Sequence, residues 1–302
     1  MRFRAPATSA NLGPGFDCAG VALDLWNELE IVERRPGEPH VTVEGEGADE
    51  LNAAAATAAA GDHLGLKAFA LLAPVDAWSF RFVNRIPLAR GLGSSAATIA
   101  VGLAAGMHVS RRPLTAEQLL VYALTLESHA DNLAAALAGG VTFTWQEHDR
   151  FRIARIADKL PASPIAVVPG NRVSTEEARG SLPAHFSLHD AAVTAGRAAL
   201  LGAAIAAQDE GLFAAALEDR LHQPYRAATA TLFPEIREQL PAGALGVTIS
   251  GSGPTVIVWA RRGKAETVAQ ELSDRFPDAR VLPLDVAPGG AGPTAAAGPA
   301  AR

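Results

Sequence analysis

The chain has 302 residues, 49% hydrophobic and 19% charged. That is enough apolar mass for a sizeable core in one large domain or two ordinary ones, and it excludes global disorder. The formal net charge of -6 excludes a general attraction for nucleic acid or anionic lipid, and the single cysteine, Cys18, excludes an intrachain disulfide and any zinc site needing two or more cysteines.

The opening stretch MRFRAPATSANLG lacks the apolar h-region of a signal peptide. Alanine-rich runs elsewhere are soon broken by Gly, Asp, Thr or His, and none approaches the ~20 continuous apolar residues of a membrane span; the cytoplasm is the expected location. Residues 6–17, PATSANLGPGFD, crowd two prolines, two glycines and four hydrogen-bonding side chains together. Asn11 offers a donor and an acceptor and Asp17 a carboxylate, which suits an amino and hydroxyl substrate; a rigid Asx-type turn accounts for the same residues. Alternation at 41–44 and 80–83 predicts half-buried strands, and 140–145 and 165–168 predict two more. The nearly all-alanine stretch 52–61 fits a helix or a mobile loop. Thr115 and Gln118 fit a capping box that opens a helix running to about Glu127. Residues 190–208, 211–220 and 264–276 predict further helices. This mixed order predicts α+β rather than strict βαβ alternation. A composition shift at 149–160 marks a boundary between units 1–150 and 151–287. The Gly, Pro and Ala residues of 288–302 predict a disordered tail.

Residues 87–97, PLARGLGSSAA, lie between the strand at 80–83 and a helical run at 96–105. Gly91 and Gly93 permit close backbone approach, Ser94 and Ser95 add hydroxyls, and the helix N-terminus adds unpaired N–H groups. Together these make a phosphate pocket, and a side chain at Gly93 is expected to fill the phosphate space. A plain strand–loop–helix turn is the alternative. No G-x-x-x-x-G-K-[ST] occurs. Residues 91–96 fit the dinucleotide pattern G-x-G-x-x-A, but that pattern follows directly on a first strand, and here 84–90 intervene. At 127–132, ESHADN, Glu127 could offer Mg²⁺ an oxygen, Asp131 could be an N-cap and His129 a structural histidine. Arg179, after a capping-box pattern at 174–177, and Arg226, at the end of HQPYR, are surface charges or forks for a carboxylate. Residues 250–255, SGSGPT, sit between apolar strands at 247–249 and 256–259 as a hairpin turn.

In this order, and from about Arg4 to about Val281, the four segments resemble the GHMP small-molecule kinases. Residues 87–97 resemble the superfamily's ATP loop and 250–255 its third motif. Within the superfamily, 6–17 is similar to the form seen in the homoserine kinase family. His129-x-Asp131-Asn132, Ser174-Thr175-x-x-Ala178-Arg179 and Pro224-x-Arg226 strengthen that likeness. The resemblance implies the GHMP kinase fold: a two-lobed α+β N-terminal domain and a ferredoxin-like α+β C-terminal domain, with ATP and substrate meeting between them. It implies a magnesium-dependent enzyme of threonine biosynthesis that phosphorylates the side-chain hydroxyl of L-homoserine with ATP, typically as a homodimer, with no nucleic-acid or membrane partner. By the same resemblance the ATP loop comprises Pro87, Leu88, Ala89, Arg90, Gly91, Leu92, Gly93, Ser94, Ser95, Ala96 and Ala97. Ser94 and Glu127 hold Mg²⁺, Asn11 and Asp17 orient the substrate amine and hydroxyl, and Arg179 and Arg226 clamp its carboxylate. Thr175, His129 and Asn132 line the reacting end. No dedicated general base is expected, Asp17 being the carboxylate best placed for one. The competing classes are another GHMP kinase acting on mevalonate, shikimate or a sugar, a nicotinamide dehydrogenase, and a non-catalytic ligand sensor.

Overall fold

The computed structural model describes residues 1–34, 40–56, 62–173 and 175–294. It begins with a long hairpin of β1 (Arg2–Asn11) and β2 (Gly15–Glu33), then β3 (Val41–Gly45), α1 (Ala48–Ala56), α2 (Leu64–Ala70) and β4 (Trp78–Asn84). Next come α3 (Ser94–Val109), α4 (Ala116–Ala123), α5 (Ala130–Ala138) and the hairpin of β5 (Val141–Glu147) and β6 (Arg150–Ala157). The second half contains β7 (Ser163–Val168), α6 (Thr175–Gly180), α7 (Leu188–Ala207), α8 (Glu210–Ala216), α9 (Gln223–Arg226) and α10 (Leu232–Glu238). It ends with β8 (Ala244–Ile249), β9 (Val256–Ala260), α11 (Ala265–Arg275), β10 (Arg280–Pro283) and β11 (Gly292–Pro293).

Two sheets organise these elements. The first has the order β11-β1-β2-β4-β3, with β5 pairing on β2 and carrying β6; within it only β3 and β4 run parallel. The second is antiparallel throughout, in the order β10-β7-β9-β8. The α+β expectation is met. Helix α3 is buried along nearly all of its length, because alanines at 96, 97, 100, 104 and 105 let it press against its neighbours without bulk. Its neighbours include β1, β2, α2 and α5. One hydrophobic core runs from beneath the first sheet into the second unit, where Phe213 meets Trp259 edge-on at 5.3 Å. A smaller core joins Phe233, Ile249 and Leu272.

Several sequence expectations shift. The segment 6–17 is not an isolated turn but the end of β1, a tight reversal and the start of β2. Its strand character was hidden because Ala5 to Asn11 is buried without interruption, and a strand buried on both faces shows no alternation. The helix from Thr115 ends at Ala123 and the one near 211–220 ends at Ala216. The all-alanine stretch is helical through Ala56, and 57–61 lie outside the described residues. The boundary at 150 falls at the tip of a hairpin, since β6 still belongs to the first sheet. Residues 288–294 do not trail away as a tail. Gly140 donates to the Ala287 carbonyl, Ala291 to Ala136, and β11 pairs with β1; 295–302 lie outside the described residues. Finally, α7 is long and apolar enough, by length and composition, to cross a membrane. Its hydropathy comes largely from alanine and leucine, and its Arg197 pairs with Glu218 beside α8.

The capping box is formed as predicted: Thr115 Oγ1 accepts from Gln118 N at 3.3 Å and Gln118 Oε1 accepts from Thr115 N at 2.9 Å. Thr115→Ala is expected to cost about 1 kcal/mol of stability, read as a lowered midpoint in urea unfolding; an unchanged midpoint would remove the cap from the stability account.

Candidate active site

A cleft of about 480 Å³ collects the segments that the sequence singled out. Its walls come from the β1–β2 reversal, the 87–97 loop, the start of α5, Arg179 of α6, Arg226 of α9 and Gly251 and Ser252.

The loop is held from behind. Thr8 N donates to the Leu92 carbonyl at 3.0 Å and Thr255 N to the Arg90 carbonyl at 3.2 Å; Ser250 Oγ donates to the Gly91 carbonyl at 2.6 Å. Gly91 and Gly93 both have positive φ, +80° and +66°. A Cβ at Gly91 would overlap the Ser250 carbonyl oxygen, and one at Gly93 would overlap Thr8 Oγ1. The expectation that a side chain at Gly93 fills phosphate space is therefore corrected: it would first meet the protein's own β1. In the first turn of α3, the N–H groups of Ser94, Ser95 and Ala96 have no backbone acceptor among the described residues, and all three residues line the cleft. That is an anion site with its donors spare. Leu88, Ala89, Arg90, Gly91 and Gly93 also line it. Pro87, Leu92 and Ala97 are buried behind it and serve as packing. Arg90 is spent on carbonyls of Leu88, Pro169 and Gly170, so it staples the loop to the end of β7 instead of offering its charge to phosphate.

Ser94 Oγ is buried and has no hydrogen-bond partner among the described residues. Glu127 lines the same cleft, its Oε1 2.8 Å from His129 Nδ1. That contact holds the Glu127 carboxyl below its ordinary range and, in turn, the His129 imidazole above its own. No cluster of three or more His, Cys, Asp or Glu that could hold a metal exists among the described residues. An orphaned hydroxyl plus one carboxylate is nevertheless a donor set that fits Mg²⁺, which keeps waters and substrate phosphates as its remaining ligands.

Asn132 lines the cleft beside the loop. Its Oδ1 accepts from Thr8 Oγ1 at 2.7 Å, and its backbone N donates to Asp131 Oδ1 at 2.7 Å. Asp131 lies inside α5 rather than at the N-cap, which is His129. It is 4% exposed, and burial first, with the Asp17 charge adding, pushes its carboxyl up to about 6. Sequence reasoning read this residue as a possible N-cap, because only the fold encloses it.

Asn11 is a knot. Its Nδ2 donates to the Gly251 carbonyl at 3.0 Å and its Oδ1 accepts from Asp17 N at 3.0 Å, leaving one N–H and one lone pair for a ligand. Asn11 is thus an Asx-type tie that also lines the cleft wall. Asp17 points at Arg179, whose Nη2 lies 2.8 and 2.7 Å from its two oxygens. Arg226 is 3% exposed, not a surface charge. Its Nη1 donates to the Gly251 carbonyl at 2.9 Å, and its Nε has no partner among the described residues; burial lowers the stability of its charged form. Thr175 opens α6, but its side chain, like Ser174 as a whole, lies outside the described residues.

The short helix that presents Arg226 is set up by Asp219, a residue that sequence reasoning missed. Its carboxylate accepts from the N–H groups of Leu221, His222 and Gln223 at 3.0, 2.9 and 2.8 Å, and Pro224 stands in the first turn where its missing N–H costs nothing.

The sequence matches the family description "GHMP kinases N terminal domain" over residues 53–140 and "GHMP kinases C terminal" over 201–278. A homoserine kinase from Moorella thermoacetica is 40% identical over 283 residues, covering 90% of this chain and 91% of that protein. One from Synechococcus is 37% identical over 279 residues, covering 90% and 89%. The chain belongs to the homoserine kinase family of GHMP kinases. Its fold matches the crystal structure of homoserine kinase from Cytophaga hutchinsonii at a TM-score of 0.84, with 24% identity and 96% of each chain covered. A mevalonate kinase from L. major shares the fold at a TM-score of 0.69 and 14% identity. The homoserine kinase family assignment and a loop fed by β4, an interior strand of a largely antiparallel sheet, leave no basis for the dinucleotide alternative.

Because Gly91 has both a positive φ and backbone oxygens where a Cβ would go, Gly91→Ala is expected to destabilise the protein by roughly 2 kcal/mol or more. Thermal unfolding without nucleotide checks this: a wild-type melting temperature would mean the loop, not its packing against Ser250, absorbs the change.

Proposed function

We infer that this chain transfers the terminal phosphoryl group of ATP to the side-chain hydroxyl of L-homoserine, giving ADP and O-phospho-L-homoserine. One observation carries the substrate assignment. Among the described residues Arg226 is a buried guanidinium with no carboxylate partner, in the wall of a cleft that also holds a phosphate loop. A buried cation left unpaired is costly, and an anionic ligand offsets that cost.

The cleft reads as two subsites. The spare N–H groups of Ser94, Ser95 and Ala96 take the ATP phosphates, with the remaining loop residues holding them in place. Arg226 and Arg179 take the α-carboxylate, while Asp17 and Asp131 supply negative charge for the α-ammonium. Mevalonate and shikimate bring a carboxylate but no ammonium, and a sugar brings neither, so two carboxylates beside two arginines favour an amino acid. Ser94 and Glu127 would hold Mg²⁺, which when bound neutralises phosphate charge. Asn132, kept in place by Thr8 and Asp131, faces the reacting end with His129, and the family likeness adds Thr175 there. Phosphoryl transfer rests on alignment and charge more than on covalent help. Effective molarities of ~10⁵ M or more are available from alignment alone, so the site works without a dedicated base, and Asp17 is shared between Arg179 and the α-ammonium. The reading includes a cytoplasmic homodimer, supported by the family likeness.

Arg226→Ala is expected to raise the KM for homoserine by about 100-fold, the scale of a lost buried charge contact, and to leave the KM for ATP within about twofold. An unchanged homoserine KM would remove Arg226 from the substrate site. The acid side offers a second check. The Asp131 carboxyl stands near 6 in the free protein, and an ammonium ligand favours its ionised form. Homoserine affinity is thus full above that value and falls as pH drops through it. Plots of kcat/KM for homoserine should bend near pH 6, and Asp131→Asn should lower the plateau and abolish the bend; a bend that persists in this variant assigns it to another group.

A further inference from the structure

Three segments meet around one imidazole. His222 is fully buried at the start of α9. Its Nε2 lies 2.7 Å from the Gly13 carbonyl oxygen in the β1–β2 reversal. Its ring stacks on Phe16 at 5.1 Å, and its Nδ1 lies 3.4 Å from Arg226 Nη1. A carbonyl oxygen can only accept, so Nε2 carries the proton and Nδ1 of the neutral ring presents a lone pair. The charged groups facing the ring are Asp219, with Oδ2 3.6 Å from Nε2, then Arg226 and Asp17. Burial is the largest influence and favours the neutral ring. Arg226 Nη1 also donates to the Gly251 carbonyl at 2.9 Å. Both Nη1 hydrogens therefore have acceptors, whereas Nη2 and Nε have none among the described residues.

We propose that His222 is a positioning residue for the substrate carboxylate: pinned by the Gly13 carbonyl, it accepts the second Nη1 hydrogen of Arg226 through Nδ1 and so reserves the opposite edge of the guanidinium for the ligand. The arrangement ties the N-terminal reversal that carries Asn11 and Asp17 to the helix that carries Arg226. A rotation of the guanidinium about its own plane would trade a bidentate contact for a single one; Gly251 and His222 together oppose that rotation. The position needs an acceptor in the place of Nδ1 and a donor in the place of Nε2, two requirements that can be separated by substitution.

This proposal rests on Arg226 as the carboxylate clamp. The test compares His222→Asn, whose Oδ1 reaches the Nδ1 place, with His222→Gln, whose amide N–H reaches the Nε2 place, alongside Arg226→Ala. His222→Gln is expected to raise the homoserine KM about tenfold, with kcat and the ATP KM within about twofold. His222→Asn is expected to keep the homoserine KM within about threefold while losing some thermal stability. Equal homoserine KM values in the two variants, or parallel losses in kcat and ATP KM, overturn the proposal and leave His222 as packing. If Arg226→Ala itself leaves the homoserine KM unchanged, the clamp reading fails instead. Should neither His222 variant fold, ¹⁵N NMR of histidine-labelled wild-type protein decides: a neutral Nε2–H tautomer near pH 7.5 sustains the proposal, and an Nδ1–H tautomer or an imidazolium overturns it.

Discussion

The hydroxyl of Ser250 holds the cleft together. It donates to the Gly91 carbonyl at 2.6 Å and lies 2.9 Å from Ser9 Oγ, joining three stretches of chain that are remote in sequence. Gly251 N adds a bond to the Ala10 carbonyl. Ser9 and Ser250 are fully buried, and a buried polar group left unpaired costs about 1–3 kcal/mol, so these segments are held to one arrangement. The phosphate loop is thereby fixed through its carbonyl side. Its N–H side stays open, which is the pre-organisation that binding a dense anion requires.

The same cleft stores electrostatic imbalance. Arg226 is buried with an unpartnered Nε, and Asp131 is buried so thoroughly that its carboxyl rises to about 6. Neither is a stabilising feature by itself. Arg179 differs: being half-exposed, it can rest on Asp17 at little cost. One arginine thus waits uncompensated in the wall while the other is occupied by an internal carboxylate. A zwitterion of the proposed kind would resolve both, its carboxylate meeting the arginines and its ammonium the acidic partners.

Much of this was legible in the residues. The strands at 41–44 and 80–83, the capping box at Thr115 and the Gly-rich hairpin at 250–255 were read from local pattern, and the structure forms them. Asn11, Asp17, Glu127, His129, Asn132, Arg179 and Arg226 do converge on one cleft. What stayed hidden depends on enclosure. β1 gave no alternation because both its faces are covered. Asp131 looked like a helix cap because nothing local says that it is sealed from water, and Arg226 looked like a surface charge for the same reason. Asp219 and His222 act on Arg226 through backbone and ring contacts that leave no trace in spacing. The ordered stretch 288–294 was misread because Gly and Pro composition speaks against a core but not against a close-fitting strap across one.

The two glycines of the loop separate what a motif says about fold from what it says about ligand. At both, the atoms that forbid a side chain belong to this chain: Thr8 at Gly93, and the Ser250 carbonyl at Gly91. The pattern G-L-G-S-S therefore records how the loop packs on β1 and on the 250–255 turn. Selectivity has to come from side chains whose surroundings the scaffold leaves incomplete. Arg226 and Asp131 are such groups. Each is buried and lines the cleft, and each is in a state that an opposite charge would improve, so on the proposed reading the scaffold's unsatisfied electrostatics, more than its motif, select the acceptor.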